Sequence, residues 1–406
     1  MAASDRKKEK IITANWSNLV SELLELILKR LGFLDIVHFR AVCSSWNRVA
    51  RFYITSPIYF PLMPQTPLLM FRKNRRFFNL SDSRTYKTTR KQRQGRLGFY
   101  DYEDSWFVGS SYGWLVIFIK KLKVLHILNP LSFERIQIQL PSNMSKDIRF
   151  IFKAIISCDL CRRSTSSSSK SFCIVVCGTF QDKLGFLMHE DTTTTATTTT
   201  ATTKTSITTT TSTTHLVGDG HQIYIDIICH NGMLYALSYV GLVEVWDFLS
   251  HPFPRKVLDI EFSPTVTRLI RKNCKLSRTK SYLVESMGEL WFVLPIGESV
   301  KSMEFVVHKL DYGKKTWVNL DNLSNQALFI SKNECISVLT RDLPEVRENF
   351  IYFIIEYWEK KTKKYRVGIY NFKEKEMVDL PEHMKSCTSN SLLFWIVPNP
   401  WIVRSM

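Results

Sequence analysis

Residues 16–52 contain a helical pattern with more apolar side chains than three small helices can bury among themselves. Apolar residues recur at spacings of three to five from Leu19 to Leu31, which predicts a wide apolar stripe on one side of a first helix. Asp35 and Ser44 can cap two further short helices. A segment this small with surplus apolar surface is typical of a docking module, in which an apolar helical surface lies in the groove of a partner.

The segment resembles an F-box, especially the form found in plant F-box proteins. The resemblance rests on the leucine spacing and on the run Phe39-Arg40-Ala41-Val42-Cys43-Ser44-Ser45-Trp46-Asn47. In that family the module binds a Skp-family adaptor, which is held by a cullin scaffold. Leu23 and Trp46 are the expected anchors of the contact. The resemblance implies that the adaptor-binding residues are Leu19, Val20, Leu23, Leu24, Ile27, Leu31, Val42 and Trp46.

One position departs from the F-box pattern. The family usually has Leu-Pro where this chain has Leu19-Val20. Proline at that point fixes φ for the first helical turn, whereas valine keeps the hydrophobic contact without fixing φ. The substitution therefore leaves open whether adaptor affinity is lowered. The alternative for the whole segment is an ordinary helical subdomain that packs on the rest of the chain.

Length and composition predict a short module followed by one large domain. The chain has 406 residues, of which 45% are hydrophobic and 13% aromatic, enough for a substantial core. No window of about 18 apolar residues is present, so we expect no membrane span. The opening MAASDRKKEK is charged and has no apolar signal core, so the expected location is nuclear and/or cytoplasmic.

After residue 98 the pattern changes from helical to alternating. Many short, β-branched or aromatic runs are bounded by turn residues, and no long amphipathic helix is evident among them. A weak repeat places Asn129, Asp311 and Asn371 at the same turn-entry position, where the side chain can bond its own backbone. Many short strands at even spacing suggest a sandwich, a barrel or a propeller. Repeats that cannot bury their own faces must stack, which favours a β-propeller, but the copies diverge too much to fix the number of blades.

This region resembles the C-terminal domain of plant F-box proteins that is classified as domain of unknown function 295, which is taken to be a kelch-like propeller that recruits a target. The likeness includes Leu128-Asn129-Pro130, Tyr282-Leu283-Val284-Glu285-Ser286 and Val397-Pro398-Asn399-Pro400-Trp401. It weakens at Gly218-Asp219-Gly220-His221, where the family's tryptophan is missing. The predicted organisation is a basic tail at 1–14, an F-box at 15–57, a basic linker leading into the propeller at 58–98, and a propeller-like domain at 99–401.

The formal net charge of +18 at pH 7 is concentrated in part between Arg72 and Arg96, where ten cations stand against the single acid Asp82. Such a run can be a solvated linker, a nuclear import signal or a nucleic-acid contact. Aromatic residues such as Phe77 are interleaved with the cations; in a linker they would pack on the propeller edge, and in a nucleic-acid contact they would stack on bases. The solvated linker is the simplest of these interpretations.

Residues 191–215 form a threonine-rich insert, in which 17 of the 23 residues from Thr192 to Thr214 are threonine. A tract with so few large apolar side chains cannot offset its ordering entropy, so we expect a disordered loop between two strands. A phosphorylation-dense switch and an aggregation-prone segment are the alternatives.

The sequence offers no catalytic or metal site that we accept. Phosphate-binding loops, zinc-protease helices and nucleophile elbows are all missing as motifs. Cys158-x-x-Cys161 and Cys173-x-x-x-Cys177 have weak zinc-like spacing, but the second pair lies in an apparent strand. His221 and His230 flank another strand and are weak ligand candidates. We therefore expect no cofactor, no metal and no catalysis.

The favoured hypothesis is a non-catalytic substrate-recognition subunit of a cullin-based (SCF-type) ubiquitin ligase. Its partners are a Skp-family adaptor and an unknown target protein, and the residues that bind the target are not predicted. The first alternative is a basic propeller that binds nucleic acid or acidic protein without ligase assembly. The remaining alternatives are an enzyme on a propeller scaffold and a degenerate relative that has lost its partner.

Overall fold

The computed structural model divides into two compact units, residues 1–65 and 66–406. It describes residues 16–31, 33–55, 65–71, 76–87, 105–130, 135–140, 151–157, 171–178, 183–190, 212–217, 222–248, 253–276, 281–297, 302–341, 343–359, 362–385 and 393–398. The predicted basic tail at 1–14 lies outside these ranges.

The first unit is helical, as predicted. A 3₁₀ turn at Trp16–Asn18 precedes helices α1 (Ser21–Leu28), α2 (Phe33–Val42) and α3 (Ser44–Thr55). Both α1 and α2 pack against α3. The buried apolar side chains of the unit are Leu24, Leu28, Ile36, Phe39, Val49, Ala50 and Tyr53.

The second unit is a propeller of six sheets, numbered here as blades 1 to 6. Blade 1 contains β1 (Leu68–Phe71), β2 (Arg76–Asn79), β3 (Arg84–Lys87) and β25 (Leu393–Ile396). Blade 2 contains β4 (Ser105–Ser111), β5 (Trp114–Ile119), β6 (Val124–Leu128) and β7 (Arg135–Gln139). Blade 3 contains β8 (Ile151–Ile156), β9 (Ser171–Gly178), β10 (Leu184–Glu190) and β11 (Ser212–Val217).

The other three blades follow in chain order. Blade 4 contains β12 (Tyr224–His230), β13 (Met233–Ser238), β14 (Leu242–Asp247) and β15 (Arg255–Glu261). Blade 5 contains β16 (Tyr282–Ser286), β17 (Glu289–Ile296), β18 (Glu304–Asp311) and β19 (Thr316–Leu320). Blade 6 contains β20 (Gln326–Ile330), β21 (Cys335–Leu339), β22 (Phe350–Glu359), β23 (Thr362–Asn371) and β24 (Glu376–Val378).

Apolar side chains fill the spaces between neighbouring blades. One cluster joins blades 2 and 3 through residues such as Trp114 and Val176, and another joins blades 4 and 5 through Leu237 and Phe292. A single antiparallel sheet with both faces apolar cannot stand alone in water, so each blade is stabilised by the next. The predicted propeller is confirmed, and the blade number is six.

The ring closes through pairing of strands from the two ends of the unit. In blade 1, β25 pairs antiparallel with β1, and Leu69 lies opposite Trp395. The predicted basic linker at 58–98 is therefore wrong for the residues of β1, β2 and β3, which belong to the propeller. The missed signal was a short apolar run, because Phe77 and Phe78 point to opposite faces of β2 and are both buried, whereas Arg84 and Lys87 of β3 are solvated.

The repeated turns follow the predicted chemistry. Asp311 and Asn371 accept hydrogen bonds from the backbone N–H groups of Lys314 and Glu374, at 3.0 and 3.2 Å. Their side chains thereby begin the turns, as the repeat indicated. The first hairpins of blades 2, 4 and 5 each turn at a residue with positive φ followed by glycine, as at Asn231-Gly232.

Helix α4 (Pro264–Leu276) joins blades 4 and 5, and a short helix α5 (Glu382–Lys385) follows blade 6. The expectation that no amphipathic helix lies in this region is wrong for α4. Ser263 Oγ accepts a hydrogen bond from the N–H of Val266 at 3.4 Å, and proline follows at the first helical position. Gly241 lies under the helix at φ +84°, where a Cβ atom would come within 2.9 Å of the Thr267 hydroxyl.

The last part of the threonine-rich insert is ordered. Ser212–Val217 forms β11, in which Thr213 and Thr214 pair with Met188 and Leu187 of β10. The expectation of disorder for 191–215 is wrong for residues 212–215, because threonine suits a strand once a partner strand supplies the hydrogen bonds. Residues 191–211 lie outside the described ranges.

Candidate adaptor-binding site

Helix α1 presents apolar side chains on two adjacent sides. Leu24 and Leu28 are buried, while Val20, Leu23 and Leu26 are exposed. At about 100° per residue, Leu23 lies at the centre of the exposed stripe, with the other two on either side of it. Leu23 keeps 47% of its side-chain surface in water. An exposed apolar stripe of this kind is typical of a docking surface rather than of a core.

The predicted adaptor residues divide into three groups in the structure. Val20, Leu23 and Val42 are exposed, and Leu24 is buried at 1%. The remaining four are partly buried: Leu19, Ile27, Leu31 and Trp46. Leu24 is a correction to the predicted set, because α1 packs against α3 and the chain itself covers this side chain.

Trp46 holds the beginning of the unit together. Its indole N–H donates to the carbonyl of Trp16 at 3.0 Å, and its ring lies 4.4 Å from that of Phe39. Beside it, Ser45 Oγ donates to the carbonyl of Ser17 at 3.1 Å. These bonds fix the 3₁₀ turn against α3. Trp46 therefore positions the surface next to Leu23, and a change at Trp46 affects both packing and any contact.

The structure adds three exposed side chains that the sequence pattern did not single out. Trp16 and Phe52 are exposed at 65% and 62%, and Leu26 is also exposed. All three are large and apolar, and they add to the apolar surface that this small unit leaves in water. The pattern missed Leu26 because the buried stripe of α1 explains the periodicity without it.

Val20 begins α1. It is the N-cap residue, with φ −67° and ψ 150°, and no side-chain hydrogen bond caps the helix. The φ value is the one that a proline ring imposes. Valine thus adopts at this position the backbone conformation that the usual family residue would fix, so the departure from the pattern leaves the geometry of the first turn intact.

The centre of the propeller contains a buried ion pair. Lys153 Nζ donates to Asp226 Oδ1, and the other oxygen of Asp226 accepts the backbone N–H of Leu283 at 2.7 Å. Burial is the largest single influence on the pKa of Lys153 and lowers it, but the charge and hydrogen bond of Asp226, together with Cys335 and Cys177, outweigh burial and the net shift is upward. The three residues lie on the first strands of blades 3, 4 and 5, so the pair ties these blades together.

Glu334 lies near this pair. Burial raises its pKa to about 7, although the Ser110 hydroxyl and the Lys153 charge act in the opposite direction. Its Oε2 atom is inaccessible to water and accepts no hydrogen bond within the described ranges. Ser110 comes from blade 2 and Glu334 from blade 6, so the polar centre extends around the ring.

The cysteines and histidines with weak metal-like spacing that the structure describes lie among other protein side chains. Cys173 and Cys177 are buried in β9, and Cys158 and Cys161 lie outside the described residues. The Tyr312 hydroxyl is 2.7 Å from Nε2 of His230, and burial lowers the pKa of this histidine although Glu285 opposes the shift. In the part of the chain that the structure describes, no three His, Cys, Asp or Glu side chains are grouped as a metal would require.

Comparison with protein families identifies both units. The F-box domain matches residues 16–53, and the KIB1-4 beta-propeller matches residues 77–371. The chain belongs to the F-box proteins with a KIB1-4 propeller. The predicted family is confirmed, and an F-box domain implies binding of a Skp-family adaptor.

Curated relatives come from Arabidopsis thaliana. F-box protein At2g05970 is 23% identical over 402 residues, covering 95% of this chain and 97% of the relative. F-box/kelch-repeat protein KIB1 is 22% identical over 397 residues, covering 93% of this chain and 90% of the relative. The similarity extends through both units. Among the described residues, no helix has the length and apolar content needed to cross a bilayer.

Proposed function

We propose that this protein is the substrate-recognition subunit of a cullin-based, SCF-type ubiquitin ligase. The F-box binds a Skp-family adaptor, and the propeller binds a target protein. The observation that carries the proposal is the exposed apolar stripe centred on Leu23, in a helical unit too small to cover all of its own large side chains. The chain acts by raising the effective concentration of the target near the ubiquitin-conjugating enzyme, and it performs no catalysis itself. It acts in the nucleus and/or the cytoplasm.

The adaptor surface consists of the exposed apolar residues of the first unit. Leu23 is the central anchor, and Trp46 holds the adjacent 3₁₀ turn in place. Both are retained from the sequence-based set, whereas Leu24 is left out because it is buried. The proposed contact residues that the structure shows to be exposed are Trp16, Val20, Leu23, Leu26, Val42 and Phe52.

The test is co-purification of the full chain with a Skp-family adaptor. A Leu23→Arg change places a charge in the middle of the stripe, and we expect adaptor affinity to fall by about 30-fold or more, as for the loss of an interface anchor. The matched control is Leu122→Arg, because Leu122 is exposed at 49% but lies in the propeller. We expect this control to bind the adaptor like the wild type.

Two results would overturn the proposal. If the wild-type chain does not bind any Skp-family adaptor, the F-box has another use. If Leu23→Arg and Leu122→Arg bind the adaptor equally well, the stripe is not the interface. Circular dichroism of both variants shows whether the helices are intact, so that a loss of binding is not confused with a loss of folding.

A further inference from the structure

The strand order gives the propeller two faces with different charge. In a regular four-stranded blade, the first and third turns lie on one face, here called the hairpin face. The second turn and the connection to the next blade lie on the other, here called the crossover face. The contact between His230 and Tyr312, which both lie at hairpin-face turns of adjacent blades, shows that the blades share this orientation.

Helix α4 contributes positive charge to the crossover face. Its inward side carries Val266 and Ile270, which are buried. Its outward side carries Arg268, Arg271 and Lys272, all exposed, and the helix contains no acidic residue. Within the described ranges these three side chains form no ion pair, and Arg271 donates one hydrogen bond to the carbonyl of Val240 at 3.3 Å.

The cations of α4 are joined by others on the same face. The turn between β5 and β6 exposes Lys120, Lys121 and Lys123, and blade 1 adds Arg76 and Lys87, which are cross-strand neighbours. Glu261, at the end of β15, is the one exposed acid that the described residues of blades 1 to 4 place there. The described residues of blades 1 and 2 and of α4 therefore give this face a strongly positive rim.

The hairpin face is balanced. Lys309 pairs with Glu289 at 3.2 Å. The C-terminal turn of blade 6 carries two lysines and two glutamates in alternation from Lys373 to Glu376. A general excess of surface lysine would charge both faces alike. The concentration on one face indicates that this face meets a negatively charged partner.

We propose that the crossover face of blades 1 to 4 binds an acidic segment of a polypeptide. This inference rests on the proposed function, in which the propeller recruits a protein, and it assigns that protein's segment a chemistry. Aliphatic side chains accompany the cations, since Leu122 lies between two lysines and Ile223 is exposed nearby. Aliphatic groups suit the apolar side chains of a peptide better than the bases and phosphates of a nucleic acid, which favour aromatic and cationic contacts.

The test uses the full chain, both alone and mixed with a Skp-family adaptor, and a short fluorescent peptide of glutamate, aspartate and leucine. A second peptide, with glutamine and asparagine in place of the acids, measures the charge requirement. We expect the acidic peptide to bind, its affinity to fall with rising salt, and the neutral peptide to bind far more weakly. The triple variant Arg268→Gln/Arg271→Gln/Lys272→Gln should bind the acidic peptide about tenfold more weakly.

The matched control removes the same charge from the hairpin face through Lys314→Gln/Lys315→Gln/Lys373→Gln, and we expect at most a twofold change. Equal losses in the two triple variants, or no binding of the acidic peptide at low salt, would overturn the inference. So would a duplex DNA or RNA probe that binds more tightly than the peptide at physiological salt. Adaptor binding is measured on the same samples, so peptide binding without adaptor binding refutes only the proposed function.

Discussion

The two units differ in how large a share of their big apolar side chains they bury. In the propeller, Trp114, Phe292 and Trp395 are almost completely buried between blades. In the helical unit, Trp16 and Phe52 remain mostly in water. The propeller has enough residues to enclose its core and closes into a ring, whereas the F-box is too small to cover itself. Under the proposed function, the exposed side chains of the helical unit are the ones that the adaptor covers.

The largest expected effect concerns the closure of the ring. Trp395 is fully buried on β25 and makes an edge-to-face contact with Phe329 at 5.0 Å. A Trp395→Ala change should lower the free energy of unfolding of the propeller by about 3–5 kcal/mol, through the cavity that it leaves. Urea denaturation followed by tryptophan fluorescence measures this. An unfolding free energy equal to that of the wild type would contradict the role of Trp395 in closing the ring.

The next effect tests the polar centre of the propeller. A Lys153→Met change leaves Asp226 buried without its cation, and we expect a cost of about 3 kcal/mol, because the hydrogen bond from Leu283 remains. The double variant Lys153→Met/Asp226→Leu removes both charges and should be less destabilised than the single variant. If the single and double variants have equal unfolding free energies, the pair does not couple the blades.

A smaller effect is expected from pH. The folded-state pKa of Glu334 is raised to about 7, so between about pH 4.5 and 7 the folded chain holds a proton that the unfolded chain releases. Stability of the propeller should therefore fall as pH rises through this window, by on the order of 1–3 kcal/mol. Denaturation midpoints at several pH values measure the slope. Glu334→Gln should flatten it, and an unchanged slope in that variant would assign the effect to another group.

The smallest effect concerns the start of α1. Val20 already has φ −67°, so Val20→Pro should stabilise the helical unit by about 0.4–1 kcal/mol by restricting the unfolded chain. Glu25→Pro, in the middle of the same helix, is the contrasting variant and should cost about 3 kcal/mol. Thermal melts of each single variant measure its stability, and co-purification measures its adaptor binding. A destabilised Val20→Pro protein would show that the family proline is not accommodated here.

Local sequence patterns predicted the helical unit well because its helices are short-range structures. The three helices follow from the apolar spacing and the caps at Asp35 and Ser44, and the structure buries Val49 and exposes Arg48 on α3. Burial of Leu24 could not be deduced, since a wide apolar stripe does not say which part faces α3. The propeller class and its Asx turns were also predictable, because strand alternation and turn chemistry are local.

Long-range features of the propeller were not predictable in the same way. The pairing of β1 with β25 joins residues more than 300 positions apart. The concentration of cations at 72–96 therefore led to the prediction of a linker, although Phe77 and Phe78 are buried in β2. In blade 6, β20 and β22 pair in parallel, which gives that blade a fifth strand and has no local signature. Helix α4 was missed because cations outnumber the few apolar residues that it buries.

Because synthesis proceeds from the N-terminus, the ring can close only late in the synthesis of the chain. The helical unit leaves the ribosome first and can fold while the propeller is still being made. Blade 1 must wait for β25, so β1 keeps an unpaired edge until nearly the whole chain has emerged. A nascent or truncated product can thus carry a folded F-box together with an open ring whose unpaired strand edge can aggregate. Pairing of β25 is therefore the step that completes the fold.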